Sequence, residues 1–183
     1  MKPEKITFST LFLLLAVMLM ALPFLTTLED ILTRIVMGVG WYRQIQEVIV
    51  PYEMRIVTAL LNLFQLHAQA GNAYIQLDQH GHKEVIYLIW NCVGWQSFVL
   101  FFLTLFTGLA GKFTVSSKLQ ALAIGLLGTY LINIARLVLV MVIYGLLGRG
   151  IGIVFHDYFS GLLSISWLFG FWYISYSWVL EEK

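Results

Sequence analysis

One cysteine stands in the chain, Cys92, within Trp90-Asn91-Cys92-Val93-Gly94-Trp95-Gln96-Ser97, where a polar segment gives way to a strongly apolar one. A thiol becomes a nucleophile when its surroundings favour the thiolate, and a nearby cation or a base does that. Two later residues have the complementary chemistry. Arg136 lies in Asn133-Ile134-Ala135-Arg136-Leu137-Val138-Leu139-Val140, flanked by apolar residues. Facing lipid at the bilayer centre it costs roughly 2.5 kcal/mol or more, so it turns inward or snorkels to the surface. His156 precedes Asp157 and Tyr158. A thiol, an imidazole to move protons and a guanidinium to stabilise developing negative charge are the parts an acyl transfer requires.

Singly, each has a plainer role. A lone cysteine in an apolar chain is commonly a small packed residue, an arginine near a span end commonly snorkels, and a histidine between spans is commonly an interfacial polar group. The three gain meaning only if the fold brings them to one place, so the elements that carry them decide the matter.

Composition sets the class. Hydrophobic residues make up 60% of the 183 and charged residues 11%, against roughly 45 to 50% and about 25% in a soluble domain. We read an integral membrane protein, an all-α polytopic bundle of about four transmembrane helices, with amphipathic helices on its outer surface and a short β-hairpin. A formal charge of +1 gives no argument for nucleic acid as a partner, and a single cysteine excludes an internal disulfide.

The whole chain, 1–183, is expected to form one membrane domain. After Lys2 and Lys5, residues 6–28 hold an apolar run of about 30 Å as a helix, enough for a first span, and it lacks the small-x-small cleavage pattern of a signal peptide. Residues 29–90 carry charges that interrupt every apolar run. Ile31 to Val50 and Met54 to Leu66 read as amphipathic helices broken at Pro51 and lying on the outer membrane surface. Tyr, Ile and Val around Asp78-Gln79-His80-Gly81-His82-Lys83 suggest a hairpin leading to Cys92, although Val85 to Ala110 also reads as one long helix and periodicity does not decide between them. Asn91 has the chemistry of an N-cap for a second span over 91–110, which would place Cys92 at a helix N-terminus. Spans over 119–147 and 158–180 follow.

Lys2, Lys5, Lys112, Lys118 and Lys183 then fall on one side, taken as cytoplasmic by the positive-inside rule, with both termini there. Cys92 lies about 30 Å from Lys112 along a helix and Arg136 about 27 Å from Lys118, so both reach the extracytoplasmic face, and His156 falls in the loop before the last span. Thr129, Asn133, Arg136 and Tyr144 form a polar stripe along one helix side.

This ordered set resembles the exosortase/archaeosortase family of membrane transpeptidases: a cysteine followed by Val93-Gly94 at the outer end of one span, an arginine preceded by Asn133 on the next, and a histidine at the mouth of the last. The resemblance covers Leu60 to Leu180 and favours a compact archaeal-type member. Val93 stands where many members have Ser or Thr, and many members carry further N-terminal spans. It implies a thiol protease or transpeptidase of the cell membrane that cleaves a C-terminal sorting signal, made of a motif, a hydrophobic helix and a basic tail, on exported surface proteins. The reaction would pass through a thioester and end on a lipid or another acceptor. Cys92 would be the nucleophile, Arg136 the transition-state stabiliser and His156 the general acid/base, with no cofactor and no metal. Asn91, Gln96 and Asn133 are candidate supporting donors, or equally the interhelical hydrogen bonds of the bundle.

Two other readings stand beside it. Asp78, His80, His82 and Glu84 alternate along the chain and would make a metal site if they shared one strand face. A non-enzymatic membrane subunit or small anion transporter would use Arg136 to bind an anion.

Overall fold

The structure, a computed structural model, describes Thr27, residues 30–79 and residues 82–182, and for Gln79, His82, Lys83, Glu84 and Ser160 the backbone alone. The span expected over 6–28 lies, but for Thr27, outside these residues. The chain divides into two units, Met1–Val39 and Gly40–Lys183. In the first, residues 30–39 form helix α1.

The second unit opens at Gly40, whose φ of +80° suits a residue without a Cβ. Helix α2 (Trp41–Gln44) runs through a wide i→i+5 turn, Ile45–Ile49, into α3 (Val50–Leu63). The break expected at Pro51 is absent. Proline falls in the first turn of α3, directly after the wide turn, and the helical path continues. Along α3 the buried residues are Val50, Glu53, Met54, Val57, Thr58 and Leu61, a stripe at helical spacing.

Three strands follow, β1 (His67–Ala70), β2 (Tyr74–Gln79) and β3 (His82–Tyr87), in the order β1-β2-β3 and antiparallel throughout. The hairpin is therefore real and gains a third strand. Asn62, in the last turn of α3, stitches β1 to that helix: its amide donates to the Ala68 carbonyl at 3.0 Å and accepts the Ala68 N–H at 2.8 Å. The chain leaves β3 extended and folds into a 3₁₀ turn, Trp90–Val93, before α4 (Trp95–Gly108).

Helix α5 (Val115–Leu147) starts at Thr114, whose hydroxyl accepts the Ser117 N–H. Beyond Gly148, α6 (Arg149–Val154), a second wide turn at Phe155–Phe159, α7 (Ser160–Ile174) and a third at Ser175–Val179 form one continuous helical run. Among the described residues two helices, Val115–Leu147 and Arg149–Val179, are long and apolar enough to cross a membrane. At 14 residues α4 is apolar but about 21 Å long, because the Trp90–Val93 turn and Gly94 take the first residues of the expected 91–110 span out of the helix.

The interior has two parts. One packs α3 and the sheet against the second half of α5 through Met54, Val57, Leu61, Ile75, Leu137 and Met141. The other joins α4, the first half of α5 and α7 through Phe101, Ala121 and Phe171. Polar contacts fix the same helices: Trp167 Nε1 donates to Thr129 Oγ1 at 3.1 Å, and the Ser97 and Ser164 hydroxyls meet at 3.0 Å.

Candidate active site

Cys92 occupies the 3₁₀ turn between β3 and α4, not the first turn of a helix. Its N–H donates to the Ile89 carbonyl at 2.8 Å, and Gly94, with φ +73°, redirects the chain into α4. Asn91 consequently does not cap a helix; its side-chain oxygen accepts from Gln96 Nε2, and Trp90 stacks on Trp95 with ring centroids 5.8 Å apart. The thiolate-favouring dipole expected from a helix N-terminus is thus replaced by side chains.

The structure brings Cys92, Arg136 and His156 together. Cys92 Sγ lies 3.7 Å from His156 Nε2, and Arg136 Nη2 donates to the Cys92 main-chain carbonyl. On the other side of the ring, His156 Nδ1 is 3.0 Å from Asp157 Oδ1. A carboxylate only accepts, so this contact puts a proton on Nδ1 and turns the lone pair of Nε2 in the neutral ring toward the thiol. Burial pushes the Cys92 thiol up, but the hydrogen bond and charge of His156, the Ile89 contact and the Arg136 guanidinium hold it, on balance, below its ordinary value. His156 sits in the wide helical turn Phe155–Phe159 rather than in a loop.

The polar stripe of α5 builds the floor. Asn133 Nδ2 donates to the Val93 carbonyl at 2.8 Å and lies 3.3 Å from Glu53 Oε1, and both Asn133 and Glu53 are buried. Burial pushes the Glu53 carboxyl up to about 7, against the opposing pull of Arg136 and Asn133. Glu53 and Asp157 are the two site groups that sequence reasoning did not single out. A signal existed for each: Asp157 adjoins His156, and Glu53 falls on the apolar stripe of α3. Gln96 is buried, and Asn91 half-buried, beside the same turn.

A cavity of about 270 Å³ opens onto Cys92 and His156, between the segment Ile86 to Ile89 and the residues Tyr144 and Ile153. A larger cavity of about 700 Å³, lined by Leu60, Phe64, Leu66, Val138 and Leu146, is apolar and holds none of these groups.

Asp78 lies on β2, whereas His82 and Glu84 lie on β3, with Asp78 paired to Lys83 and Gln79 to His82. The four expected metal ligands therefore do not follow one another on a single strand. His80 and the side chains of His82 and Glu84 are outside the described residues, among which no group of three metal-ligating side chains occurs.

A thiol paired to an imidazole, itself oriented by a carboxylate, with a guanidinium on the nucleophile's own turn, has the parts of cysteine-dependent acyl transfer. No family model, curated protein or solved structure matches the chain.

Proposed function

We propose that this protein is a multi-pass membrane cysteine protease or transpeptidase of the exosortase/archaeosortase type, acting at the extracytoplasmic face. The reading is carried by the 3.7 Å approach of Cys92 Sγ to His156 Nε2, between residues far apart in sequence. Support for the membrane comes from α5 and the run after it: Leu127, Leu131, Phe169, Tyr173 and Trp178 are exposed, as lipid-facing positions would be. The 33 residues of α5 extend about 50 Å, against about 30 Å of hydrocarbon. With lipid around its first twenty or so residues, Arg136 falls at the bilayer edge and the part packed on α3 and the sheet projects beyond it. The first span and a crossing through α4 complete four, and the lysine distribution sets the sidedness.

In the reaction, Cys92 thiolate attacks the scissile carbonyl of an exported protein. The C–S bond forms, the C–N bond breaks, and His156 passes a proton to the leaving amine. An acceptor hydroxyl, from a lipid or water, then gives its proton to His156 and displaces the thiol from the thioester. Arg136 offers positive charge to thiolate and oxyanion. A substrate anchored by its own hydrophobic C-terminal helix stays near the site, which lowers the orientational cost.

Replacing Cys92 with Ala in cells tests this. The variant should insert and fold, while surface proteins with a C-terminal motif, hydrophobic segment and basic tail accumulate uncleaved. A membrane-impermeant maleimide outside intact cells should label wild-type Cys92 and block processing. Normal processing by Cys92→Ala, or labelling from the cytoplasmic side alone, removes the enzymatic reading and leaves the non-enzymatic subunit.

A further inference from the structure

We propose that the substrate enters this site as an extended polypeptide strand pairing with the outer edge of β3, with an apolar side chain next to the scissile carbonyl. The proposal rests on the acyl-transfer reading above and adds how the polypeptide is held.

The hydrogen-bond phase of β3 sets the geometry. Leu88 donates its N–H to the Ala73 carbonyl at 2.9 Å, on the β2 side, and Ile86 faces Ile75 in the same register. Main-chain groups alternate between the two sides of an antiparallel strand, so those of Val85, Tyr87 and Ile89 point to the other side. The inner side stays saturated past the end of β2, where the Gln46 side chain takes over: its Nε2 donates to the Leu88 carbonyl at 3.2 Å and its Oε1 accepts the Trp90 N–H at 2.6 Å.

The outer side is different. Among the described residues β3 pairs with β2 alone, and the N–H groups of Val85, Tyr87 and Ile89 find no partner; the Ile89 carbonyl is turned to the Cys92 N–H. Proteins usually shield such an edge. Here it borders the cavity that holds Cys92 and His156, whose far walls come from Leu137, Val140, Tyr144 and Ile153. A chain laid along this edge passes the thiol within a few residues of its last main-chain hydrogen bond.

Shape and polarity narrow the occupant. The cavity runs beside the segment Ile86 to Ile89. A single extended strand fits, and main-chain pairing would hold it whatever its side chains. Ile86, Leu88, Leu137, Val140 and Ile153 line the cavity with aliphatic groups beside Tyr87 and Tyr144, and the one carboxylate in the lining, Asp157, is engaged with His156. A charged side chain would lose water without gaining a counter-charge, so an apolar one is selected.

Alkylation of Cys92 in the purified full-length protein, followed by mass spectrometry, tests this. The probes are iodoacetamide, the chloromethyl ketone of acetyl-Val-Thr-Val-Ala, and two isomers of that peptide N-methylated on alternate amides. Each rate is divided by the rate of the same reagent with glutathione. The parent peptide should exceed iodoacetamide, one N-methyl isomer should lose roughly three- to tenfold and the other should keep the gain, since only one set of amides faces β3. A lysine in place of the terminal alanine should remove the gain. Tyr87→Pro, which removes an outward N–H at a position where an edge strand tolerates proline, should lower the peptide-to-iodoacetamide ratio. Equal rates for both isomers and the parent, or a peptide that gains nothing over iodoacetamide, overturns the strand-pairing proposal and leaves the nucleophile in place. A Cys92 that reacts with no reagent removes the nucleophile itself, and the proposal with it.

Discussion

Gly94 lies so close beneath Asn133 that a Cβ on it would occupy the place of the Asn133 side-chain oxygen. The glycine that ends the nucleophile's turn and the amide that holds its carbonyl are thus fitted to one another, and α5 grips the turn through Asn133 on Val93 and Arg136 on Cys92.

Gly94→Ala meets two penalties, the contact with Asn133 and the positive φ, which alone costs about 1 to 2 kcal/mol. The variant should melt earlier than wild type in detergent and lose processing, as read by a thermal scan and by the fraction of substrate cleaved.

The thiol's surroundings set a pH profile. Burial raises the pKa of Cys92, and His156 with Arg136 more than offsets it, so thiolate should appear at lower pH than for an ordinary cysteine. Alkylation rates plotted against pH should rise with a midpoint below the usual thiol range. His156→Ala removes the hydrogen bond and should shift that midpoint upward; an unmoved midpoint would separate the two residues functionally.

Arg136→Lys should reduce processing by about tenfold or more, because an ammonium keeps the charge but loses the planar fork that binds the Cys92 carbonyl. Chelators added to the same assay should change nothing, whereas a metal-dependent reaction would stop.

Glu53 gives a stability signature. Its carboxyl is pushed from 4.5 in the unfolded chain to about 7, so between those values the folded protein holds the extra proton. Stability therefore falls as pH rises through that window, by about 3 kcal/mol, and is greatest below it. Glu53→Gln keeps an acceptor for Asn133 and cannot titrate. Wild-type melting temperature should drop from about pH 5 to about pH 8, more steeply than that of the variant.

Cys92, Arg136 and His156 could be picked out from sequence because each is chemically conspicuous where apolar and polar stretches meet, and the structure brings them together. Glu53 escaped because charges in 29–90 suggested a surface helix; its place on the stripe with Val50, Met54 and Val57 was readable, but the neighbour that accommodates it, Asn133, is 80 residues away. The turn at Trp90–Val93 escaped because Asn91 before an apolar run looks like a cap, and only the positive φ of Gly94 moves the helix start to Trp95. β1 escaped because His67-Ala68-Gln69-Ala70 carries neither aromatic nor β-branched residues; its pairing comes from β2 and from the Asn62 amide.

The wide turn at Phe155–Phe159 has a consequence in angular terms. An α-helix turns about 100° per residue, so one residue inserted into the path rotates everything on one side of it relative to the other. Within the turn the run must aim His156 at Cys92; beyond it, Trp167 must meet Thr129. A perfectly regular helix seated by Trp167 would swing the imidazole away from the thiol. The aim of the base is therefore written in a residue count, and deleting Tyr158 from the turn would misdirect it without removing any side chain the chemistry uses.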